Sequence, residues 1–440
     1  MHCLKPRIRR SIATLTPAQI TTLRNGVSAM KSLAATDPTS WIYQANIHGT
    51  LDPPGPTAWN SCQHYTHFFL SWHRMYLYFF ERILRKASGD PNFNLPYWNY
   101  SDPLQRPLPL PFRSPANATN PLWVNERAPG INSGAQLPNS AVGFSIAFSY
   151  FNFSTPTNTT LSFSRQLEGT PHGAVHGGIG GSTGFMSSFE FAARDPIFWL
   201  HHGNIDRLWN RWLQQGGGRT NPTGNSTWMN TKFTFFNENG TQVQMSGSQV
   251  VSTAGNLCYR YDDDPPVSPW ATRIAVRRGR PELVAASSAA VELEASPVRL
   301  TLPVPEANRG KLSRVFTEVP EAQMVLNLDE VSFEKFPGIH YEVYVNLPEG
   351  EEADPDSIHY VGNLQFFGLK PHAGHEEKGP GPQSFDITAN VRALKEVERW
   401  TEGSVAVTLV PRGLTGADQK PLEARPASKI RVGKISLTME

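Results

Sequence analysis

The sequence predicts an α+β chain of two units, a mainly helical N-terminal unit with long loops followed by an all-β sandwich. Three observations point there. At 440 residues the chain exceeds one ordinary domain. Apolar residues recur at helical spacing in several segments before residue 215. Beyond Asp262-Asp-Asp-Pro-Pro266 short runs rich in β-branched and aromatic residues take over.

The first helix is expected from Pro17 to about Ala35, where Ile20, Leu23, Val27 and Met30 form an apolar stripe behind an N-terminal proline. A second runs from about His67 to Lys86, stopped by Gly89 and Pro91. From Pro103 to about Leu161 the chain is rich in Pro, Asn, Ser and Thr without periodicity, which predicts extended loops. Helical patterning returns around Gly173 to Gly177 and from about Pro196 to Leu213, ended by Gly216-Gly217-Gly218. Strands are expected at Val298–Val304, His340–Val345 and Ser404–Val410. The Ala/Ser-rich stretch from Val284 to Ala295 reads as a linker or its edge. The division is therefore 1–265, a linker over 266–297, and 298–440. No internal repeat is evident.

Composition excludes several classes. A net charge of +2 without a basic stripe argues against a nucleic-acid partner. No apolar run approaches the roughly 20 residues that span a bilayer, so membrane insertion is not expected. Arg7, Arg9 and Arg10 make a basic start, but no apolar run follows, so this numbering holds no intact export signal; a removed one is compatible, with a lean to export. Cys3, Cys62 and Cys258 cannot build a disulfide framework and show no metal-site spacing. The sequons at Asn99, Asn117, Asn152, Asn158, Asn225 and Asn239 matter only in a secreted eukaryotic protein.

The chemistry-bearing residues are histidines. Seven of the thirteen fall into two short clusters, with His48 an outlier near the first. In His172-Gly-Ala-Val-His176 the pair is separated by about 40° on a helix, so both imidazoles can face one metal. Alone the pair is weak, since two surface histidines read equally well. It gains weight beside Asp195-Pro-Ile-Phe-Trp-Leu-His201-His202-Gly-Asn-Ile-Asp206-Arg-Leu-Trp209. Adjacent helical residues point about 100° apart, so only one of His201 and His202 should coordinate. Asp206, four residues after His202, can take an N–H from a ligand imidazole. In the first cluster, His64 and His73 lie nine residues apart, half a turn out of phase on one helix. His64 is therefore placed on the preceding loop and His73 inside the helix, with His48 arriving from the end of an earlier one. His67 then reads as a bystander, although it rivals the others for a ligand role.

Phe69-Leu-Ser-Trp-His-Arg74 behind His64, and the run from Asp195 to Trp209, resemble the two copper motifs of the type 3 copper family, which includes tyrosinases, catechol oxidases and molluscan haemocyanins. The resemblance implies a four-helix core around two copper ions, with dioxygen as co-substrate and small phenols as substrates. His48, His64 and His73 would hold copper A, and His172, His176 and His202 copper B, with His201 and Asp206 behind them. Cys62 resembles the cysteine that some members join to the second copper A histidine, here His64, as a thioether. Phe189 stands where plant-type members place a gating phenylalanine. Leu257-Cys-Tyr259-Arg-Tyr261 resembles the tyrosine pair that closes the catalytic domain, while Tyr341-Glu-Val-Tyr-Val-Asn346 and Val407-Thr-Leu-Val-Pro-Arg412 resemble the C-terminal domain of plant polyphenol oxidases, which shields the site and keeps the enzyme latent. A copper-delivery partner is compatible with this.

Six neutral imidazoles suit both copper oxidation states. Glu168 resembles the glutamate that plant-type members use with a neighbouring asparagine to hold a water as base. Here Gly173 follows His172 in the asparagine's place, and Gly177 follows His176. The pair predicts an open entrance with weaker base assistance: catechol oxidation first, monophenol hydroxylation left open. The absence of N-terminal cysteine pairs favours a bacterial or fungal-like relative over a plastid one. A haemocyanin-like oxygen carrier would share all six ligands. A zinc hydrolase explains one cluster and not two.

Overall fold

The computed structural model describes residues 5–52, 55–155, 161–264, 281–310, 323–369, 383–416, 418 and 420–439. Helix α1 (Pro17–Ser32) begins with a reciprocal cap between Thr16 and Gln19 and buries Leu23, Val27 and Met30. Gly26 brings it against α3 (Phe69–Ser88), where a Cβ would stand 2.8 Å from Leu84. Between them α2 (Trp41–His48) is capped by the Ser40 hydroxyl and ends on His48. Helix α3 closes on Gly89 at φ 72°. It starts at Phe69, two residues later than expected, because Tyr65 holds a left-handed φ of 56° and the chain reaches the helix through a turn from Thr66 to Phe69. His64 and His67 therefore lie before the helix.

The long loops are pinned by charge. Arg127 sends two parallel N–H bonds to Asp195 at 2.8 and 2.7 Å, both side chains fully buried, and donates further to the carbonyls of Phe112 and Leu122. An irregular turn, Glu168–Gly173, broken at Thr170 (φ −138°, ψ 124°), leads into α4 (Ala174–Gly180). Helix α5 (Ile197–Gln214) ends before three glycines at positive φ. Near the chain start β1 (Arg7–Arg9) runs parallel to β4 (Tyr259–Tyr261), and β2 (Lys232–Phe236) and β3 (Gln242–Ser246) form a hairpin. Of the basic start, Arg7 and Arg10 are exposed, whereas Arg9 is buried at 1% exposure.

The remaining strands build two antiparallel sheets. One has the order β10 (Tyr360–Leu364), β9 (His340–Val345), β12 (Ser404–Arg412), β7 (Val298–Pro303). The other runs β11 (Gln383–Asp386), β8 (Met324–Phe333), β13 (Ile430–Met439), β5 (Glu282–Ala286), with β6 (Val291–Leu293) also on β13. Both contribute to one buried apolar cluster, Leu326, Leu328 and Leu437 from one sheet, Val343, Val405 and Val407 from the other. Strands β5 and β6 correct the expected linker: from Glu282 onward that stretch supplies two strands that pair with β13. Residues 266–280 of the expected linker, Cys3 and Asn158 lie outside the described residues. Every residue of β9 is buried, with Tyr341, Val343 and Val345 in the sheet core and His340 on the helical unit, its Nε2 3.0 Å from the Ser140 hydroxyl.

Candidate metal centre

Seven buried or nearly buried histidines converge between α2, α3, α4 and α5 in two groups. The ligand atoms of His48, His64 and His73 lie within 4.8 Å of one another, and so do those of His172, His176, His201 and His202. The groups face each other, with the rings of His73 and His202 stacked at 4.4 Å and those of His64 and His172 at 5.4 Å. His67 belongs to neither.

The hydrogen bonds set the tautomers. Nδ1–H of His48 donates to the Phe189 carbonyl at 3.0 Å, of His73 to Phe69 at 2.8 Å, of His172 to Glu168 at 3.0 Å and of His176 to Met186 at 2.7 Å. Each bond commits the ring proton to Nδ1 and leaves the Nε2 lone pair for the interior. Burial pushes the His48 pKa down to about 4 and holds His64, His73, His172, His176 and His202 well below the ordinary histidine value, so the rings are neutral. His48 Nε2 stands 3.2 Å from His64 Nε2, and His176 Nε2 3.3 Å from His202 Nε2. Nε2 of His73 and of His172 are buried with no partner. Inward lone pairs this close, with no donor to satisfy them, fit two metal ions.

Two expectations need correction. Asp206 does not reach a ligand imidazole. Its carboxylate takes Arg74 at 2.5 Å, Arg9 at 3.3 Å and the hydroxyls of Tyr259 and Tyr261 at 2.6 and 2.5 Å, and His202 Nδ1 is left without a partner. Two guanidinium groups outcompete a neutral ring for one buried carboxylate. His201, expected to pack behind the ligands, lies parallel to His172 at 5.5 Å and edge-on to His176 at 4.8 Å. A 100° separation fixes where two Cβ atoms sit, not where ring nitrogens end. The entrance is not open. A Cβ on Gly173 would stand 2.5 Å from Oε1 of Gln365, and the space beside Gly173, Gly177 and Phe367 is about 20 Å³, room for a water but not a phenol.

What fills the entrance comes from the second unit, and the residue that does so was not foreseen. The Phe367 ring stacks on His176 at 3.8 Å and 13° and stands 5.4 Å from His172, 5.8 Å from His64 and 5.1 Å from Phe189. Its neighbour Phe366 packs into the sheet core instead, so two consecutive aromatics serve the two units. The Tyr65 hydroxyl donates to the Phe367 carbonyl and accepts from Gln365 Nε2 at 3.3 Å. In sequence only the Phe366-Phe367-Gly368 run marks this loop, and a sheet core explains aromatics there as well.

The other expected residues are brought together. Phe189 lies 4.4 Å from His64. Glu168, 2% exposed, accepts the Tyr65 main-chain N–H at 2.6 Å and stands 3.4 Å from Nδ1 of His64. Cys62 is a free cysteine whose thiol burial pushes up, with Glu190 and Glu168 adding to the effect; Cys258, by contrast, is disulfide-bonded.

Comparison with known proteins agrees with this geometry. Residues 38–133 and 113–215 match the common central domain of tyrosinase, residues 223–275 the polyphenol oxidase middle domain, and residues 280–440 a domain of unknown function (DUF7868). The chain is 31% identical to a tyrosinase, HcTyr1, of Hahella sp. (strain CCB-MM4) over 99% of both chains. It is 30% identical to a chloroplastic polyphenol oxidase of Malus domestica, over 93% of this chain and 75% of that protein. Among solved structures it resembles latent apple tyrosinase with a TM-score of 0.67 and 26% identity, covering 99% of this chain and 97% of that one. The chain belongs to the type 3 copper family of tyrosinases and polyphenol oxidases, and is a copper-dependent oxidoreductase whose cofactor is a pair of copper ions.

Proposed function

We propose that the chain is a latent polyphenol oxidase that converts o-diphenols to o-quinones with dioxygen, with monophenol hydroxylation as the weaker activity. When bound, the copper pair supplies the two-electron exchange between a catechol and dioxygen. His48, His64 and His73 hold copper A; His172, His176 and His202 hold copper B, with His201 packed behind them. Cys62 is the thioether partner of His64. Phe189 walls the copper A side, where a phenol ring would lie across His64. Glu168 orients His64 and is the group available to hold a phenol's proton at its carboxylate. The sheets from Glu282 onward act as the shield and the helical unit as the catalyst.

The observation that carries latency is Phe367 stacked on His176, because a ring in that place denies a substrate ring the same face. The full chain loaded with copper should bind about two copper ions and oxidise 4-methylcatechol slowly, then rapidly once the second unit is displaced by limited proteolysis. Reversible dioxygen binding without turnover in the opened form would instead make it an oxygen carrier.

A further inference from the structure

A cavity of about 160 Å³ lies on the seam between the two units, and no histidine lines it. Arg165, Gln166 and Thr170 supply the helical side; Tyr360, Asn363 and Phe385 supply the sheet side. The volume is close to the ~150 Å³ that accommodates a benzene-sized molecule. Arg165 is half-buried, carries its guanidinium 4.6 Å over the Tyr65 ring, and enters no ion pair among the described residues. Asp356, the acid of the lining, is exposed to solvent at the rim, where water and salt screen it. A half-buried guanidinium in a lining that also holds Tyr360 and Phe385 suits a carboxylate on a small ring.

We propose that this seam cavity is an effector site for a small monocyclic carboxylate, bound through Arg165, that strengthens latency. The inference rests on the latent reading above. Because each unit provides part of the wall, the occupant binds only when the units are docked and so stabilises that state. The route to the copper site is short: Arg165 stacks on Tyr65, whose hydroxyl holds the Phe367 carbonyl.

The test uses the full copper-loaded chain and cyclohexanecarboxylate, a saturated ring with no phenol to oxidise. Calorimetry should show saturable binding, the Tm should rise, and 4-methylcatechol oxidation should slow. Arg165→Gln should weaken binding by about tenfold or more and abolish both effects, with Arg165→Lys in between. Undiminished binding to Arg165→Gln, no saturable binding to the parent chain, or binding that speeds oxidation would each overturn the proposal. Phe367→Ala separates it from the latent reading: if that variant is as slow as the parent, the plug is wrong while Arg165-dependent binding stands. If it is fast and Arg165-dependent binding is missing, only the effector site fails.

Discussion

The Glu168 carboxylate accepts the Tyr65 N–H at 2.6 Å and stands 3.4 Å from His64 Nδ1, the geometry on which its proposed role with a phenol's proton rests. A monophenol must surrender that proton before it can be hydroxylated. Glu168→Gln keeps the shape and most acceptor capacity but cannot take the proton. In a Phe367→Ala background, turnover of tyramine should fall about 10²-fold while 4-methylcatechol oxidation falls far less and copper content is unchanged. Equal losses on both substrates would show that Glu168 only positions. The ligand set is tested as directly. His73→Ala and His202→Ala should each lower the copper content by about one ion per chain, whereas His67→Ala should keep both. His201→Ala is the sharper case, because its ring lies among the copper B group; retention of two ions would place it behind the ligands, and loss of one would put it among them.

At the scale of elements, the histidine-bearing helices are locked from behind. Asp206 on α5 binds Arg74 of α3, Arg9 of β1 and both tyrosines of β4, and Arg9 continues to Glu81 of α3 at 2.7 Å. Arg9 also lies 3.7 Å over the Tyr259 ring, and Arg74 3.4 Å over Trp209. Removing one member leaves buried charge without compensation, so Asp206→Ala should cost about 3–5 kcal/mol in urea unfolding. Burial alone would raise the Asp206 pKa, but Arg74, Arg9 and the two hydroxyls outweigh it and hold it below the usual carboxylate value. The sign follows: this stabilisation is fully present above about pH 4, the unfolded value, and is lost as pH falls through the lower folded value. The parent chain should lose stability over that acid range and Asp206→Asn should lose much less. Helices α3 and α5 were legible because a 3.6-residue apolar period and terminal glycines are local signals. The lock was not, since Asp206 and Arg9 are 197 residues apart in the chain and proximity in sequence pointed to His202 instead. The linker was misread for a related reason: the Ala/Ser run that ends β5 and connects it to β6 mimics a flexible tether until β13 is known to pair with both strands.

In the whole molecule, the two units meet over the histidine centre, and how they dock lay beyond local pattern. The copper motifs announce themselves in sequence. Phe367 becomes meaningful only when the end of the first sheet is carried onto His176 and Phe366 turns the other way. Gly368 holds φ 84° there, and a Cβ would stand 2.6 Å from the Tyr65 ring, so the loop after Phe367 is shaped to Tyr65 as well as to the histidines. Asn363 Nδ2 donates to the Ser140 carbonyl at 2.9 Å and Gln166 Nε2 to the Ser384 carbonyl at 3.2 Å, so the docked state does not depend on Phe367 alone. Truncating that ring should therefore clear the entrance while the units stay together. Phe367→Ala should raise kcat/KM for 4-methylcatechol by about tenfold or more, since a buried phenylalanine truncated to alanine typically forfeits about 3–5 kcal/mol of contacts and only part of that need act on the docked state. Copper content should not change, and the rate of proteolytic separation of the units should rise only modestly. Tyr65→Phe, which removes the hydroxyl that holds the Phe367 carbonyl and leaves the ring against Gly368, should give a smaller rise in the same direction. If Tyr65→Phe activates as much as Phe367→Ala, the hydrogen bond and not the ring sets latency; if neither activates, the entrance is closed by some other part of the second unit.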